Sequence, residues 1–187
     1  MSTHELKYAD VQHVLSEANL SNDNNVGFLP FVVVSQGAAS NQRIGRKIFI
    51  KSLNISGKLQ NAGGIVLVRI IVVRVRHNDG QTPSLTQLIK GGFGAGQILF
   101  FKDIEQSKDQ WIMWDHVWRL TGGTGSNGAI FRKRFDINKK CLFNGATSGM
   151  GDIQDGVLGF YIFTDSTDTA GLSPEASIDA RIRFTDA

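Results

Sequence analysis

Lysine, arginine and aspartate carry most of the chemistry open to this sequence, and they are unevenly placed along it. From Asn41 to Asn78 there are eight basic residues, Arg43, Arg46, Lys47, Lys51, Lys58, Arg69, Arg74 and Arg76, and no acid. Arg132 to Lys140 adds Arg132, Lys133, Arg134, Lys139 and Lys140 against Asp136 alone. From Cys141 onward the balance reverses, with Asp152, Asp155, Asp165, Asp168, Glu175, Asp179 and Asp186 against Arg181 and Arg183. A chain of net charge +3 laid out in this way suits one surface turned toward a polyanion and others toward neighbours or solvent. Charged strand faces that are simply solvated would give the same pattern, and the two readings stand level on charge alone. Asp165 and Asp168, with Asp152 and Asp155, are loop oxygen donors of the kind calcium takes, although polar turns use the same residues more often.

Other chemistry lacks its context. His4, His13, His77 and His116 are scattered, with no i, i+4 pair and no acid at metal spacing, so no zinc or hydrolytic site is expected and the chain reads as a non-enzyme. The stretch Gly91 to Gly96 has dinucleotide-like glycines but follows a helix-like segment, whereas that fingerprint follows a strand. Gly123 to Gly128 has phosphate-loop spacing with Ala129 where the lysine must stand. Trp111, Trp114 and Trp118 could stack bases, but Trp111 has the opposite strand parity from the other two and all have apolar neighbours, which favours core packing. Cys141 is alone, so it forms no internal disulfide and belongs to no metal-ligand spacing.

The elements that must position these groups read as strands. Apolar residues make up 41%, concentrated in short Ile, Val and Phe runs between clusters of Gly, Asn, Ser and Asp. Residues 3–20 fit either a strand or a helical face. Strands are predicted over Phe28–Val34, with Pro30 as an edge strand allows, and over Arg46–Leu59, with a bulge near Ser52 where the inward parity switches. Gly64–His77 is apolar on both parities through Val73 and should lie centrally between two covered faces. Thr82 as cap, Pro83 at the first position and a Leu85, Leu88, Ile89 face predict a short helix that Gly91-Gly92 stops. Further strands are predicted over Gln97–Phe101, Gln110–Leu120, Ala129–Asn138, Val157–Thr164 and Ala176–Phe184, the last with Asp179, Arg181 and Arg183 outward. Residues 144–156 and 165–175 read as loops. Eight or so strands without βαβ alternation give an all-β antiparallel sandwich, one domain over 1–187. No signal peptide is expected at Met1 to Asp10. The longest apolar run, Ile65 to Val75, is broken by Arg69 and Arg74 and falls far short of a membrane span, so no membrane partner is expected.

Several segments resemble one family in order along the chain. Ser35 to Ile50, Ser-Gln-Gly-Ala-Ala-Ser-Asn-Gln-Arg-Ile-Gly-Arg-Lys-Ile-Phe-Ile, resembles the approach to the first long strand in coat proteins of circular single-stranded DNA viruses and in the coat of satellite tobacco necrosis virus. Arg76 to Pro83, Phe143-Asn144-Gly145-Ala146-Thr147 and the closing Thr185-Asp186-Ala187 resemble segments of the satellite coat. Glu5 to Asp10 resembles the start of the DNA-virus shell domains, which favours a strand there.

The resemblance implies a viral jelly-roll capsid protein with an eight-stranded sandwich of two four-stranded sheets and a short helix in one connection. It further implies self-assembly into a small icosahedral T=1 shell that encloses viral nucleic acid within the virion. On that reading Arg43, Arg46, Lys47, Arg132, Lys133, Arg134, Lys139 and Lys140 are candidates for genome-facing or interface charge. Calcium at subunit contacts is implied too, with Asp186 matching a C-terminal ligand beside Asp165 and Asp168, although Ala38-Ala39 replace an acidic pair after Gln36-Gly37. Such coats begin with an arginine-rich arm, whereas Lys7 is the only Lys or Arg in the first forty residues here; either that arm has been lost, which is the preferred reading, or packaging rests on the basic residues of the strands, or the shell assembles empty. The competing expectation from another class is a carbohydrate-binding module on the same sandwich, using aromatic side chains and a loop cation.

Overall fold

Apolar alternation broken by turn residues produces nine strands among the residues described by the computed structural model, which are 5–16, 20, 27–78, 80–89, 102–103, 109–122, 128–165 and 174–187. They are β1 (Lys7–Leu15), β2 (Leu29–Pro30), β3 (Lys47–Asn61), β4 (Ile65–Val75), β5 (Gln110–Thr121), β6 (Ala129–Phe143), β7 (Ile153–Asp155), β8 (Leu158–Thr164) and β9 (Pro174–Asp186). One sheet has the order β1-β9-β3-β6-β7 and the other β2-β8-β4-β5, with every pairing antiparallel. With the three-residue β7 set aside, first pairs with last, second with seventh, third with sixth and fourth with fifth. That is an antiparallel double strand wound over itself, the jelly roll.

The predicted sandwich is thus present, but as five strands facing four. The addition is β7, inside the segment read as a loop, where Leu142 and Phe143 of β6 pair with Asp155 and Ile153. Three residues are too few to show alternation, so no periodicity marked it.

Both sheets close on one core. From the first sheet, Ile48, Ile50, Leu53, Ile55 and Leu59 of β3 and Ile178, Ala180, Ile182 and Phe184 of β9 are buried. From the second come Val66, Val68, Ile70 and Val72 of β4 with Phe160 and Ile162 of β8. Strand β4 is an inner strand whose two faces are both covered, as its sequence predicts. Phe160 meets His13 of β1 at 5.3 Å between ring centroids, so the neighbouring Tyr161 points to the far face. There its hydroxyl donates to Gln110 Oε1 at 3.2 Å, and Gln110 Nε2 donates to the Ser84 carbonyl at 3.1 Å. The connection after β4 therefore lies over that face with Leu85, Leu88 and Ile89 buried. Arg69, the charged interruption of the β4 run, is satisfied there by Asp115, with Nε to Oδ1 at 2.8 Å.

That connection is not the expected helix. It makes a single 3-10 turn, Leu85–Gln87, capped by the Ser84 hydroxyl rather than by Thr82. The apolar spacing is used as predicted, but the chain is pulled out of helix immediately afterwards. Ile89 bridges to Lys102, and the Leu88 carbonyl accepts the Asp103 N–H instead of a helical donor. The expected strand Gln97–Phe101 and the Gly91-Gly92 stop lie outside the described residues.

The bulge expected near Ser52 is present and spans three strands. Between Ile50 and Ser52, β3 advances two residues while β9 advances one, from Phe184 to Arg183. Across the other edge β6 advances three, from Lys139 to Asp136, with Asn138 taking a φ of 48°. Extra residues accumulate strand by strand, which increases local twist and carries β6 through Asn138, where the sequence suggested its end, to Phe143. Farther along, Gly156 has a φ of 79°, and a β-carbon there would overlap the Lys140 carbonyl oxygen. Gly156→Ala is expected to cost about 2 kcal/mol or more, combining backbone strain with overpacking, as read from the urea unfolding midpoint.

Candidate functional site

The basic residues separate into a buried knot and an exposed face. Arg43 is fully buried, which removes it from the genome-facing or interface set. Its Nε donates to the Val34 carbonyl at 3.2 Å, Nη1 to that of Gly45 and Nη2 to that of Gly145. The guanidinium lies 4.0 Å from the Phe143 ring centroid, and burial pulls it below its ordinary pKa. A planar fork with several donors is the side chain that can hold three carbonyls at once. Backbone bonds tighten the knot, with Gln36 N–H donating to Ala146 at 2.9 Å and Gly37 N–H to Arg43 at 2.9 Å. Thus the segments 35–50 and 143–147, a hundred residues apart in sequence, form one physical unit.

The same loop is tied to both chain ends. Lys7, 3% exposed, places its ammonium 2.8 Å from Asp186 Oδ2 and 3.1 Å from the Gln42 carbonyl. Asp186 Oδ1 accepts the Ile44 N–H at 2.8 Å. The candidate calcium ligand thus serves an ion pair inside the subunit. Asp165 accepts the Leu67 N–H at 2.8 Å near the start of β4. Asp186 pairs with Ile48 at the beginning of β3, whereas β4 follows the end of that strand, so the two carboxylates lie toward opposite ends of the sandwich and cannot share one ion. Asp168 lies outside the described residues. Among the described residues no group of three or more His, Cys, Asp or Glu side chains could hold a metal ion.

The exposed charge lies on the outward face of the five-stranded sheet. Cross-strand register builds its rows, because directly paired residues share a face. Arg134 of β6 pairs with Asn54 of β3, which pairs with Arg181 of β9, which pairs with Asp10 of β1. The next row is Arg132, Ser56, Asp179 and Gln12, and the row on the other side is Asp136, Ser52, Arg183 and Tyr8. Long arginines on β6 and β9 therefore flank the short Asn54 and Ser56 of β3. Two strand spacings set these ranks about 10 Å apart, and alternation repeats each at about 6.8 Å. The result is an open trough of about 710 Å³ lined by Arg132, Arg134, Arg181 and Arg183, with Asp10 and Asp179 among them.

The four arginines differ in freedom. Arg181 is bidentate to Asp10, with two contacts of 2.7 Å, and lies 4.9 Å from the Tyr8 ring centroid. Arg134 reaches Asp136 at 3.4 Å with both side chains exposed. Arg132 and Arg183 form no ion pair among the described residues. Beyond the trough, Phe49 is ringed by Lys47, Lys51 and Lys140 at 5.4, 5.8 and 6.0 Å.

The structure therefore gathers Lys47, Arg132, Arg134 and Lys140 on one face and excludes others of the expected set. Lys139 pairs with core-facing Ile50 and so shares its side, opposite to Lys140. Lys133 turns to the gap between the sheets, 5.6 Å from the Trp114 ring. Arg46 is exposed in the loop before β3, its carbonyl accepting the Phe143 N–H at 2.8 Å. Arg181 and Arg183 were legible as outward residues of β9, but nothing in their own segment showed that β6 lay two strands away.

Aromatic and thiol groups have structural partners. Trp114 and Trp118 pack on Phe131 at 5.5 and 5.1 Å, with His116 4.4 Å from Trp118, while Trp111 is exposed. Core packing thus holds for Trp114 and Trp118 but not for Trp111: a register shift between Val72 and Val73 pairs Trp111 with Arg74, on the same face as Trp114, yet its ring is left exposed at the strand end. Cys141 is buried, and burial pushes its thiol up to about 12, far from a reactive thiolate. Asp152 is held below its ordinary range by hydrogen bonds from the Thr147 hydroxyl and N–H.

No family model matches the chain, and no curated protein matches it. Among solved structures it is similar to the infectious bursal disease virus VP2 subviral particle, with 13% identity and a TM-score of 0.37 over 97% of this chain and 33% of that one. It therefore spans about a third of that chain's length. The native virion of Kashmir bee virus at acidic pH gives 13% identity and a TM-score of 0.43 over 96% of this chain and 70% of that one. A semi-empty virus-like particle of giant freshwater prawn Macrobrachium rosenbergii nodavirus gives 10% and 0.37 over 100% and 97%. Likenesses at these values carry no argument about this chain.

Two outcomes follow from the knot and the face. Arg43→Met strands three carbonyls and is expected to cost at least about 3 kcal/mol in urea unfolding; Arg43→Lys should recover little, because one ammonium cannot span the three positions. Asp10 is held below its ordinary value by the hydrogen bonds from Arg181. A depressed carboxylate stabilises the fold above its unfolded pKa and loses that contribution as pH falls through the folded one. Asp10→Asn is therefore expected to cost less than about 1 kcal/mol at neutral pH and nothing well below the carboxylate range, measured by unfolding at both.

Proposed function

We propose that the chain is the shell-forming coat protein of a small icosahedral virus, resembling those of circular single-stranded DNA viruses and satellite tobacco necrosis virus. On this reading identical subunits close into a T=1 shell, the protein resides in the virion, and the shell encloses viral nucleic acid. The observation that carries the reading is the union of the two coat-like segments at Arg43 within a jelly-roll winding. Segments that merely resembled a coat by chance would have no reason to share one buried cation. A closed shell is built by repeated use of the same subunit surfaces about symmetry axes. Loops and sheet edges are the surfaces left for that use, since both inner faces are spent on the core.

The carbohydrate-binding reading has less to stand on. Its aromatic side chains would have to line a cleft, but Trp114 and Trp118 pack on Phe131 and the open trough is lined by arginine. Calcium at subunit contacts is the weakest extension, since Asp186 is engaged by Lys7 and Ile44 and stands far from Asp165.

The purified full-length protein is expected to elute as a megadalton-scale particle and to show closed shells by electron microscopy. A persistent monomer in neutral, calcium-containing buffer would sink the proposal, and glycan-dependent stabilisation of that monomer would transfer it to the competing module. Particles that persist in a calcium chelator would remove calcium from the account.

A further inference from the structure

The geometry points to the outward face of the five-stranded sheet as a track for single-stranded nucleic acid, its phosphates held between the Arg132/Arg134 and Arg181/Arg183 ranks over the Asn54–Ser56 floor. This rests on the coat-protein reading for its biological setting, but its physical argument is separate. The two ranks are staggered along β3: Arg132 faces Asp179, Arg134 faces Arg181 across Asn54, and Arg183 faces Asp136, so successive phosphates at about 6.8 Å would meet a guanidinium from β6, from both strands and from β9 in turn. Arg132 and Arg183 form no ion pair among the described residues, so they can engage an anion without first breaking one.

The aromatic side chains select the class of polyanion. The face interleaves cations with two rings, Tyr8, 45% exposed and beside Arg181, and Phe49, amid Lys47, Lys51 and Lys140. A cationic groove with flanking rings is how proteins hold unpaired bases without reading their sequence. A sulfated glycan offers no base to stack, and a duplex keeps its bases inside. Guanidinium contacts to phosphate and ring stacking carry no sequence information, so sequence preference should be weak.

The test uses the full-length chain stripped of co-purifying nucleic acid in high salt, with a labelled oligothymidylate as probe and fluorescence anisotropy as readout. Arg132→Gln/Arg183→Gln is expected to weaken binding at least tenfold at low salt and to flatten the plot of log affinity against log salt by about 1.4, at about 0.7 per lost phosphate contact. Phe49→Leu should weaken binding several-fold while leaving that slope unchanged. Arg76→Gln/Arg119→Gln removes the same charge elsewhere and should leave both quantities close to the wild type. The proposal is overturned if the two double variants lose binding equally, if neither loses it, or if a heparin-derived oligosaccharide binds as tightly as the oligonucleotide and Phe49→Leu has no effect. Particle formation by microscopy and nucleic-acid content by the absorbance ratio at 260 and 280 nm are read on the same samples. Particles of unchanged loading in Arg132→Gln/Arg183→Gln overturn the track and leave the shell standing; arginine-dependent binding without particles does the reverse.

Discussion

Strand β3 is hydrogen-bonded along almost its whole length to β6 on one edge and β9 on the other, and that shared register fixes nearly everything else in the molecule. A slip of one residue would exchange Ile48, Ile50, Leu53, Ile55 and Leu59 for a set that is charged or polar at every position but Phe49. The register is pinned by this burial, and by the bulge between Ile50 and Ser52 that adds residues progressively from β9 through β3 to β6. Because β3 lies between segments separated by some forty residues in sequence, its pairing aligns arginines that no local feature connects. The trough is a by-product of that alignment, with long side chains on the flanking strands and short ones in the middle.

Arg43 solves a different problem. A loop that leads into β3 has carbonyls at Val34 and Gly45 that no strand satisfies, and the loop after β6 adds Gly145. One buried guanidinium answers all three and packs flat on Phe143. Its positive charge is costly to bury unless hydrogen-bonded, and the carbonyls are costly to bury unless donated to, so each requirement meets the other. Lys7 and Asp186 complete the arrangement by joining the first strand to the last beside the same loop. Chain ends, loop and β6 thus meet at one end of the sandwich.

The exposed face is less uniformly basic than a count of residues suggests. Asp10 takes up Arg181 and Asp136 lies near Arg134, whereas Arg132 and Arg183, one row to either side, form no ion pair among the described residues although each faces an acid across β3, Asp179 and Asp136. Pairing of this kind keeps an arginine-rich surface from repelling itself while holding some side chains in fixed orientation. The rings of Tyr8 and Phe49 sit within the same cationic surroundings and give it apolar footing.

From the residues alone, alternation and turn chemistry determined most of the strands, the bulge at Ser52, the double burial of β4, and the outward Asp179, Arg181 and Arg183. These are properties of one strand at a time, which a single segment can display. The 3-10 turn at Leu85, the short β7 and the extension of β6 through Asn138 escaped because each depends on a partner that arrives from elsewhere in the chain. The same reason explains the charges. Sequence showed where basic residues cluster, but Arg43 and Arg132 look alike in a list of arginines. Only pairing between distant strands buried the first among carbonyls and set the second on an open face, because burial and facing are decided by neighbours that sequence proximity does not supply.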